Sequence, residues 1–254
     1  MAFRRFHHPF QEDPLTQAAF RRFQSVSEYF DTHIEDAHLL PATGPALLVG
    51  NHAMLGIDSW ALFPELYRLL GRVPRGLGLK NLFTVPLLNQ LLTRVGAVPG
   101  EREVAVELLR RGELCVCYPG GARDSLKTSA ARYQLQWSGR TGFAWAAAQA
   151  QAPIIPIAAI GPDDVFPALS QQGVVSIPFI DPNTASPLFL PVARRVPFTY
   201  WVGEPLHPPV LTGRSDVDDE RVQAFVDDVR ASLEARIAHG LQERKRQAVL
   251  ASME

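Results

Sequence analysis

The sequence predicts an α/β fold, a single domain in which a central, mostly parallel or mixed sheet is flanked by helices and preceded by an N-terminal helical segment. Short apolar runs of strand length alternate with longer stretches of helical periodicity, which is the pattern of strands joined by helical crossovers. The chain has 254 residues, of which 46% are hydrophobic and 20% charged. This is enough for one substantial core. The sequence contains no repeat and no low-complexity linker that would divide it.

The N-terminal segment, residues 1–40, is expected to be helical, and residues 41–254 are expected to form the domain itself. Aromatic residues recur near helical spacing in the segment: Phe20, Phe23, Tyr29 and Phe30. Aromatic residues and arginines also alternate over the first ten positions. That mixture suits a membrane interface, where rings lie at headgroup depth and arginines meet lipid phosphates. An N-terminal helix packed on the domain is the alternative.

Four apolar runs are predicted to be strands, and five longer stretches are predicted to be helices. The predicted strands are Ala46–Val49, Leu114–Tyr118, Ile154–Ile160 and Phe198–Val202. The predicted helices are residues 58–71, 84–94, 101–111, 140–150 and 218–248. Acidic residues at the start of the last helix favour a helix N-terminus, where the helix dipole is positive.

Composition excludes several classes of protein. Lys plus Arg number 25 and Asp plus Glu number 26, so a net charge of −1 gives no general attraction to nucleic acid. Two cysteines are too few for a disulfide framework or a four-ligand zinc site, and the alternation of Cys115 and Cys117 in an apolar run predicts core positions. No apolar stretch reaches the ~20 residues of a transmembrane helix, and no signal-peptide pattern begins the chain. We therefore expect a cytoplasmic protein.

One basic stretch departs from this balanced charge. It contains Arg68, Arg72, Arg75 and Lys80, with no acidic residue among them. The stretch is either a solvated charged face or a contact for anionic lipid or a phosphorylated cofactor.

A histidine stands just after the first predicted strand of the domain. Strand Ala46–Val49 is followed by Asn51 and His52, which places the imidazole at the carboxyl end of a buried strand, where α/β sheets bind ligands. Asp58 could accept a hydrogen bond from one ring nitrogen and leave the other free to take a proton from a nucleophile. The alternative is a histidine satisfied by a helix-capping aspartate.

Two glycines, Gly120 and Gly121, follow the predicted strand that ends at Tyr118. They allow backbone N–H groups to point at an anion or a developing oxyanion, and Arg123 adds positive charge. A plain tight turn is the alternative. The sequence has no G-x-S-x-G serine elbow, no P-loop and no complete dinucleotide fingerprint. The sequence therefore gives no indication of a serine hydrolase with that elbow, a P-loop protein or a dinucleotide-binding protein.

Four sequence blocks, in this order along the chain, resemble those of the glycerolipid acyltransferase superfamily, which includes the glycerol-3-phosphate and lysophosphatidate acyltransferases. The blocks are Asn51-His52 with Asp58, Gly96–Glu103 (GAVPGERE), Tyr118–Arg123 (YPGGAR) and Ala152–Ile157 (APIIPI). A later segment, Val202–Leu206, is similar to a G-E-P segment of the family. The resemblance spans about residues 40–205.

The resemblance implies acyl transfer from a thioester, acyl-CoA or acyl carrier protein, to a lipid hydroxyl at a membrane surface, with neither metal nor other cofactor. His52 would be the general base, and Asp58 would orient it and stabilise its imidazolium. The residues that would bind the acceptor or polarise the reacting carbonyl are Gly120, Gly121, Arg123 and Arg102. The last of these matches a family position linked with a phosphorylated acceptor.

Two departures from the family pattern bear on the dyad and on the acceptor. Five residues separate His52 from Asp58, where the family has four. In the third block Gly120 and Ala122 replace Glu and Thr, which resembles the monoacylglycerol and diacylglycerol acyltransferase-like branch. Residues 133–143 are similar to phytyl ester synthases of that branch. We therefore expect a neutral acceptor, such as mono- or diacylglycerol or a long-chain alcohol.

Three other functions stay open on the sequence alone. One is a lysophosphatidate or glycerol-3-phosphate acyltransferase of phospholipid synthesis, another is a thioester hydrolase, and the third is a lipid-binding protein without catalysis. A further pair of alternatives concerns an apolar segment, which either lines a tunnel for the acyl chain or forms an ordinary core helix. Its residues are Leu82, Phe83, Leu87 and Leu88.

Overall fold

Helices and strands alternate along most of the chain in the computed structural model, which describes residues 14–177, 181–190 and 192–253. Its helices are α1 (Pro14–Tyr29), α2 (Ile57–Leu70), α3 (Pro86–Arg94), α4 (Arg102–Arg110), α5 (Ala122–Ser125), α6 (Gly142–Ala150) and α7 (Ser215–Ala251). Its strands are β1 (His33–Glu35), β2 (Ala46–Gly50), β3 (Arg75–Gly78), β4 (Val98–Pro99), β5 (Leu114–Cys117), β6 (Ile154–Ile160), β7 (Ala168–Ile177), β8 (Asp181–Phe189) and β9 (Thr199–Val202).

A mixed sheet of seven strands, in the order β1-β9-β6-β2-β5-β3-β4, forms the centre of the molecule. β2 is its middle strand and runs parallel to both of its neighbours, β5 and β6. β3 and β4 continue the parallel part, whereas β9 runs antiparallel to β6 and parallel to β1. β7 and β8 pair with each other in a separate antiparallel hairpin. The predicted α/β class with a mostly parallel, mixed sheet is confirmed.

Side chains of the sheet alternate between two helical layers, as expected for strands buried on both faces. Leu47 of β2 points into a core with α4, α6 and α7, and Leu48 points into a second core with α1 and α2. Cys115 and Cys117 lie in the first of these cores, as predicted. Burial raises the pKa of the Cys115 thiol to about 12, so this residue behaves as a small apolar side chain.

The N-terminal segment, predicted to be helical over residues 1–40, contains a strand as well as a helix. α1 ends at Tyr29, and Asp31 has a left-handed backbone with φ 45°, which breaks the helix. His33–Glu35 then form β1, which pairs with β9. Pairing with a strand more than 160 residues away decides the structure here, because strand formation depends on tertiary neighbours more than on local spacing. The aromatic and arginine residues of the first ten positions lie outside the described residues.

The basic stretch divides into two arginines held by the fold and two exposed cations. Arg75 is only 1% exposed, donates to the carbonyl of Gly96 and lies 3.7 Å from the Glu113 carboxylate. Arg72 donates to three backbone carbonyls. These two arginines find acceptors within the protein, as a buried or half-buried guanidinium must. Arg68 and Lys80 are exposed and pair with acids, Arg68 with Glu65 and Lys80 with Glu101.

Helix α3 lies on the surface, so the prediction of an ordinary core helix is wrong. All of its residues are at least partly exposed, and Leu87 is 80% exposed. Leu82 and Phe83 before it are half-buried. The tunnel for an acyl chain stays a prediction. Among the described residues, no helix has both the length and the apolar character needed to cross a bilayer.

Candidate active site

The carboxyl end of β2 carries the predicted histidine, and the residue before it fixes the strand end. The side chain of Asn51 donates to the carbonyl of Ala159 on β6 at 2.9 Å and accepts from the amide of the same residue at 2.8 Å. Asn51 therefore extends the pairing of β2 with β6 by one residue, and His52 leaves the sheet from a fixed point. The sequence shows Asn51 beside His52 but does not indicate this role, because Ala159 is 108 residues away.

His52 and Asp58 are in contact in spite of the five residues between them. Nδ1 of His52 lies 3.0 Å from Oδ2 of Asp58, and Oδ1 of Asp58 accepts from the amide of Ala53 at 3.0 Å. The Asp58 carboxylate is completely buried. Burial raises its pKa, but the charge of His52 and the hydrogen bonds from His52 and Ala53 outweigh burial and leave the pKa below its usual value. The carboxylate therefore stays ionised beside the imidazole.

A left-handed turn accommodates the long spacing. Leu55 has φ 58° and Gly56 has φ 67°, and both lie between His52 and the start of α2. Two left-handed residues in succession reverse the chain direction, so Asp58 in the first turn of α2 comes back to the imidazole. A glycine at position 56 suits this conformation, but nothing in the sequence indicates that Leu55 shares it.

The second ring nitrogen of His52, Nε2, has no hydrogen-bond partner among the described residues, and the side chain is partly exposed. The imidazole stacks on the ring of Tyr118 with centroids 4.2 Å apart, and its side chain is 18% exposed. Burial raises the pKa of Tyr118 far above its usual value, so the phenol keeps its proton and acts as a packing surface. This arrangement fixes the plane of the imidazole ring.

A buried lysine holds the backbone of His52. Nζ of Lys127 donates to the carbonyl of His52 at 3.0 Å and pairs with the carboxylate of Asp163 at 2.9 Å. Both side chains of this pair are almost completely buried. Loss of one partner would leave an uncompensated buried charge. The pair therefore joins the residues after β6 to the loop that carries His52. Lys127 was not among the predicted site residues, and its partners are far from it in the sequence.

The two glycines after β5 form a tight turn at the same edge of the sheet as His52. The amide of Gly121 donates to the carbonyl of Tyr118 at 2.9 Å, so this amide is not available to an oxyanion. Arg140, which was not predicted as a site residue, donates from one nitrogen to the carbonyls of Pro119 and Gly120 at 2.9 Å each. The positive charge that stabilises the turn therefore comes from Arg140.

Gly120 is required because the carboxylate of Asp124 lies against it. A Cβ placed on Gly120 would lie 2.2 Å from Cγ of Asp124, which is much closer than two non-bonded carbon atoms approach. One oxygen of this fully buried carboxylate accepts from the amide of Gln136 at 2.7 Å, and the other has no hydrogen-bond partner among the described residues. Burial raises the pKa of Asp124, although the charges of Lys127 and His52 oppose the increase. The carboxylate missing from position 120 is thus replaced in space by that of Asp124.

The two predicted arginines occupy different places. Arg123 lies in α5, directly after the glycine turn, and its half-buried side chain makes no hydrogen bond with the part of the chain that is described. Arg102 begins α4 after β4, three strands from β2, and its exposed guanidinium lies 5.7 Å from the centre of the Trp145 ring. The structure therefore brings His52, Asp58 and the glycine turn together and places Arg102 further along the same edge.

This arrangement can perform general-base catalysis. A histidine with one nitrogen held by a buried carboxylate and the other left to act as the base can take a proton from a hydroxyl, and the carboxylate stabilises the imidazolium that forms. The neighbouring turn and the guanidinium of Arg123, which has no hydrogen-bond partner among the described residues, can bind a polar or negatively charged group.

Comparisons with known proteins agree on one family. The family model described as Acyltransferase matches residues 31–160, which include the dyad, the glycine turn and β6. A human protein named "DGAT1/2-independent enzyme synthesizing storage lipids" is 36% identical over 118 residues, covering 46% of this chain and 36% of that protein. Phytyl ester synthase 2 of Arabidopsis thaliana is 31% identical over 133 residues, covering 50% of this chain and 19% of that protein.

A longer but weaker match joins the chain to a mycobacterial protein. An uncharacterised protein of Mycobacterium leprae is 29% identical over 230 residues, covering 85% of this chain and 61% of that protein. The matched part is less than two thirds of the length of each of these relatives. Among solved structures, the lysophosphatidate acyltransferase PlsC of Thermotoga maritima has a similar fold, with a TM-score of 0.50, 15% identity and coverage of 91% of this chain and 86% of that one.

Proposed function

Because the chain belongs to the Acyltransferase family, within the glycerolipid acyltransferase superfamily, we propose that it transfers a fatty acyl group from an acyl thioester to the hydroxyl of a neutral lipid. The thioester is acyl-CoA or an acyl carrier protein, and the acceptor is a mono- or diacylglycerol or a long-chain alcohol. The observation that carries this proposal is the contact at 3.0 Å between Nδ1 of His52 and the Asp58 carboxylate, which leaves the other ring nitrogen, Nε2, to act as the base.

In the proposed reaction, His52 acts as the general base and Asp58 holds it in place. His52 donates its Nδ1 proton in the hydrogen bond to Asp58 and accepts the hydroxyl proton of the acceptor at Nε2. The oxygen freed of its proton attacks the thioester carbonyl carbon, the carbon–sulfur bond breaks, and the departing thiolate takes the proton back from the imidazolium. Asp58 keeps its negative charge throughout and stabilises the cation that forms between the two proton transfers.

A neutral acceptor is favoured by the third block. In place of a glutamate, Gly120 leaves room for the carboxylate of Asp124, and the guanidinium of Arg140 donates hydrogen bonds to two carbonyls of the turn. Two of the similar proteins are named for storage lipid and phytyl ester synthesis, both of which have neutral products. Arg102, the position linked with a phosphorylated acceptor, is exposed and lies over Trp145, three strands from His52.

The test is release of free thiol from palmitoyl-CoA in the presence of separate acceptors, with the lipid products identified by mass. The acceptors are monoacylglycerol, diacylglycerol, hexadecanol, lysophosphatidate and glycerol-3-phosphate. His52→Ala is the inactive variant, and His207→Ala, which removes an exposed histidine after β9, is the matched control. We expect release that depends on a neutral acceptor, disappears in His52→Ala and is unchanged in His207→Ala.

Other outcomes would assign other functions. Release only with lysophosphatidate or glycerol-3-phosphate would identify a phospholipid enzyme, for which the exposed Arg102 is the available cation. A rate of thiol release that is the same with and without each acceptor would identify a thioester hydrolase. No release from palmitoyl-CoA or from palmitoyl-acyl carrier protein, with binding of the acyl chain retained, would identify a lipid-binding protein.

We also propose that the protein works at a membrane surface. Its α3 exposes Leu87 and Leu91 on a surface helix, and a lipid acceptor would reside in the bilayer. Flotation with vesicles containing anionic lipid should carry the protein upward, and Leu87→Asp should reduce the floating fraction. A protein that never floats with any vesicle would contradict this.

A further inference from the structure

Leu55 has a backbone conformation that its side chain does not favour. Its φ of 58° and ψ of 12° are left-handed, a region in which glycine, asparagine and aspartate are common and a bulky apolar residue is rare. Gly56 beside it has the same sign of φ without cost, because glycine has no Cβ. The turn therefore holds one residue suited to its shape and one that is not.

The side chain of Leu55 gains little from this strained position, since it is 58% exposed. Strained backbone of this kind is concentrated at active sites and ligand clamps, so a strained and exposed leucine three residues from His52 is a candidate for contact with a bound molecule. An asparagine or a glycine would fit the same backbone without strain. What Leu55 adds is an apolar side chain in that place.

The place is beside the reactive edge of the imidazole. A Cβ on Gly56, the next residue, would lie 3.4 Å from Cε1 and 3.9 Å from Nε2 of His52, and 3.8 Å from the indole nitrogen of Trp60. Trp60 is 39% exposed and packs edge-on against Phe23 at 4.9 Å. Trp60 therefore lies on the His52 side of the turn, and Leu55 is the exposed apolar residue directly before Gly56 in the same turn.

We propose that Leu55, with Trp60 beside it, contacts the first methylenes of the acyl chain and determines how well long-chain donors bind. The inference rests on the proposed function, because an acyl thioester reacting at His52 brings hydrocarbon to this edge. The methylenes next to the reacting carbonyl are bonded to the carbon that the acceptor attacks, so they lie within reach of the turn. Covering Leu55 with the chain recovers the hydrophobic free energy that its exposure forgoes.

Three substitutions separate the backbone from the side chain. Leu55→Asn and Leu55→Gly suit the left-handed backbone and remove the apolar contact, whereas Leu55→Met keeps both the strain and an apolar chain. Leu250→Asn, at the exposed end of α7, is the control for loss of an exposed leucine from a helical backbone. Binding of palmitoyl-CoA is measured directly as Kd, beside KM, so that a protein without turnover still tests the contact.

We expect Leu55→Asn and Leu55→Gly to raise the Tm by about 2–4 °C and to raise both the Kd and the KM for palmitoyl-CoA about tenfold, which corresponds to about 1.4 kcal/mol. The inhibition constant of free coenzyme A, which has no acyl chain, should change less than twofold. Leu55→Met and Leu250→Asn should leave the Kd, the KM and this inhibition constant within about twofold of the wild type.

Several results would overturn the inference. An unchanged Kd for palmitoyl-CoA in Leu55→Asn would show that the acyl chain does not touch Leu55. Reduced binding to vesicles with an unchanged Kd would assign the side chain to the bilayer instead. A lower Tm in both Leu55→Asn and Leu55→Gly would remove the premise of strain. If the wild type shows no acceptor-dependent release but Leu55→Asn still weakens palmitoyl-CoA binding, the transferase proposal fails and the chain contact stands.

Discussion

Replacing Asp58 with asparagine is expected to lower kcat about 1,000-fold while the protein remains folded. The carboxylate lies 3.0 Å from Nδ1 of His52, which puts the two centres of charge about 4 Å apart when the imidazolium forms. At an effective dielectric constant of about 20, two unit charges at that distance attract by about 4 kcal/mol. Asparagine has no charge, so the substitution removes this attraction and raises the activation free energy by about 4 kcal/mol. A change of that size lowers the rate by about three powers of ten.

The assay is acceptor-dependent thiol release at saturating donor, with folding checked by circular dichroism. Glu65→Gln is the matched control, since Glu65 is another buried carboxylate on α2 that binds Ser27, Gln24 and Arg68 and does not touch His52. It should lower the Tm and leave kcat within about twofold. An Asp58→Asn variant that keeps a tenth of the wild-type kcat would refute the role given to the carboxylate.

The same substitution has a predictable effect on stability at low pH. The pKa of Asp58 is below its usual value in the folded protein, because the contacts with His52 and Ala53 outweigh burial. The stability that comes from this shift is fully present above about pH 4, the pKa of an unfolded aspartate, and is lost as the pH falls through the lower folded pKa. The difference in Tm between wild type and Asp58→Asn should therefore shrink from pH 6 to pH 3. A difference that stays constant or grows over this range would contradict the direction of the shift.

Three further substitutions test the surroundings of the dyad. Gly120→Ala should lower the free energy of unfolding by about 1–3 kcal/mol, because the added Cβ collides with the carboxylate of Asp124. In an Asp124→Ala background the same substitution should cost clearly less. Equal costs in the two backgrounds, measured by urea titration, would disprove the collision. Asn51→Ala should cost about 2–4 kcal/mol in the same titrations, since it strips the buried amide and carbonyl of Ala159 of their partner. Arg140→Gln should lower kcat/KM about 10- to 100-fold through loss of two charge-assisted hydrogen bonds to the turn, and an unaltered kcat/KM would remove Arg140 from the site.

The strands that could be predicted are those that lie in short apolar runs. β2, β5, β6 and β9 match their predicted bounds to within one residue, and the first three are buried throughout. β3 begins with Arg75, and β4 has two residues ending in a proline, so neither carries an apolar run. The buried arginine of β3 could not be foreseen, since its acceptor is a carbonyl supplied by Gly96, 21 residues away.

The residues of the candidate site also divide into those that the sequence indicates and those that only the fold reveals. The chemistry-bearing residues His52 and Asp58 could be found because a short motif at a strand end carries them both. The supporting residues could not, because their roles depend on partners that only the fold brings near. Lys127 reaches His52 across 75 residues, and Arg140 reaches the glycine turn across about 20. The left-handed conformation of Leu55 had no signal in the sequence at all.

The position of β9 has a consequence for synthesis of the protein. All seven residues of β6 are buried in the finished fold, and one edge of β6 is closed by β9, which is made about 40 residues later. Until β9 leaves the ribosome, this apolar strand has an open edge, which is a template for pairing between nascent chains. A chain ending at residue 160, where the family match stops, would keep that edge open permanently. Such a fragment is expected to aggregate, even though it contains both residues of the dyad.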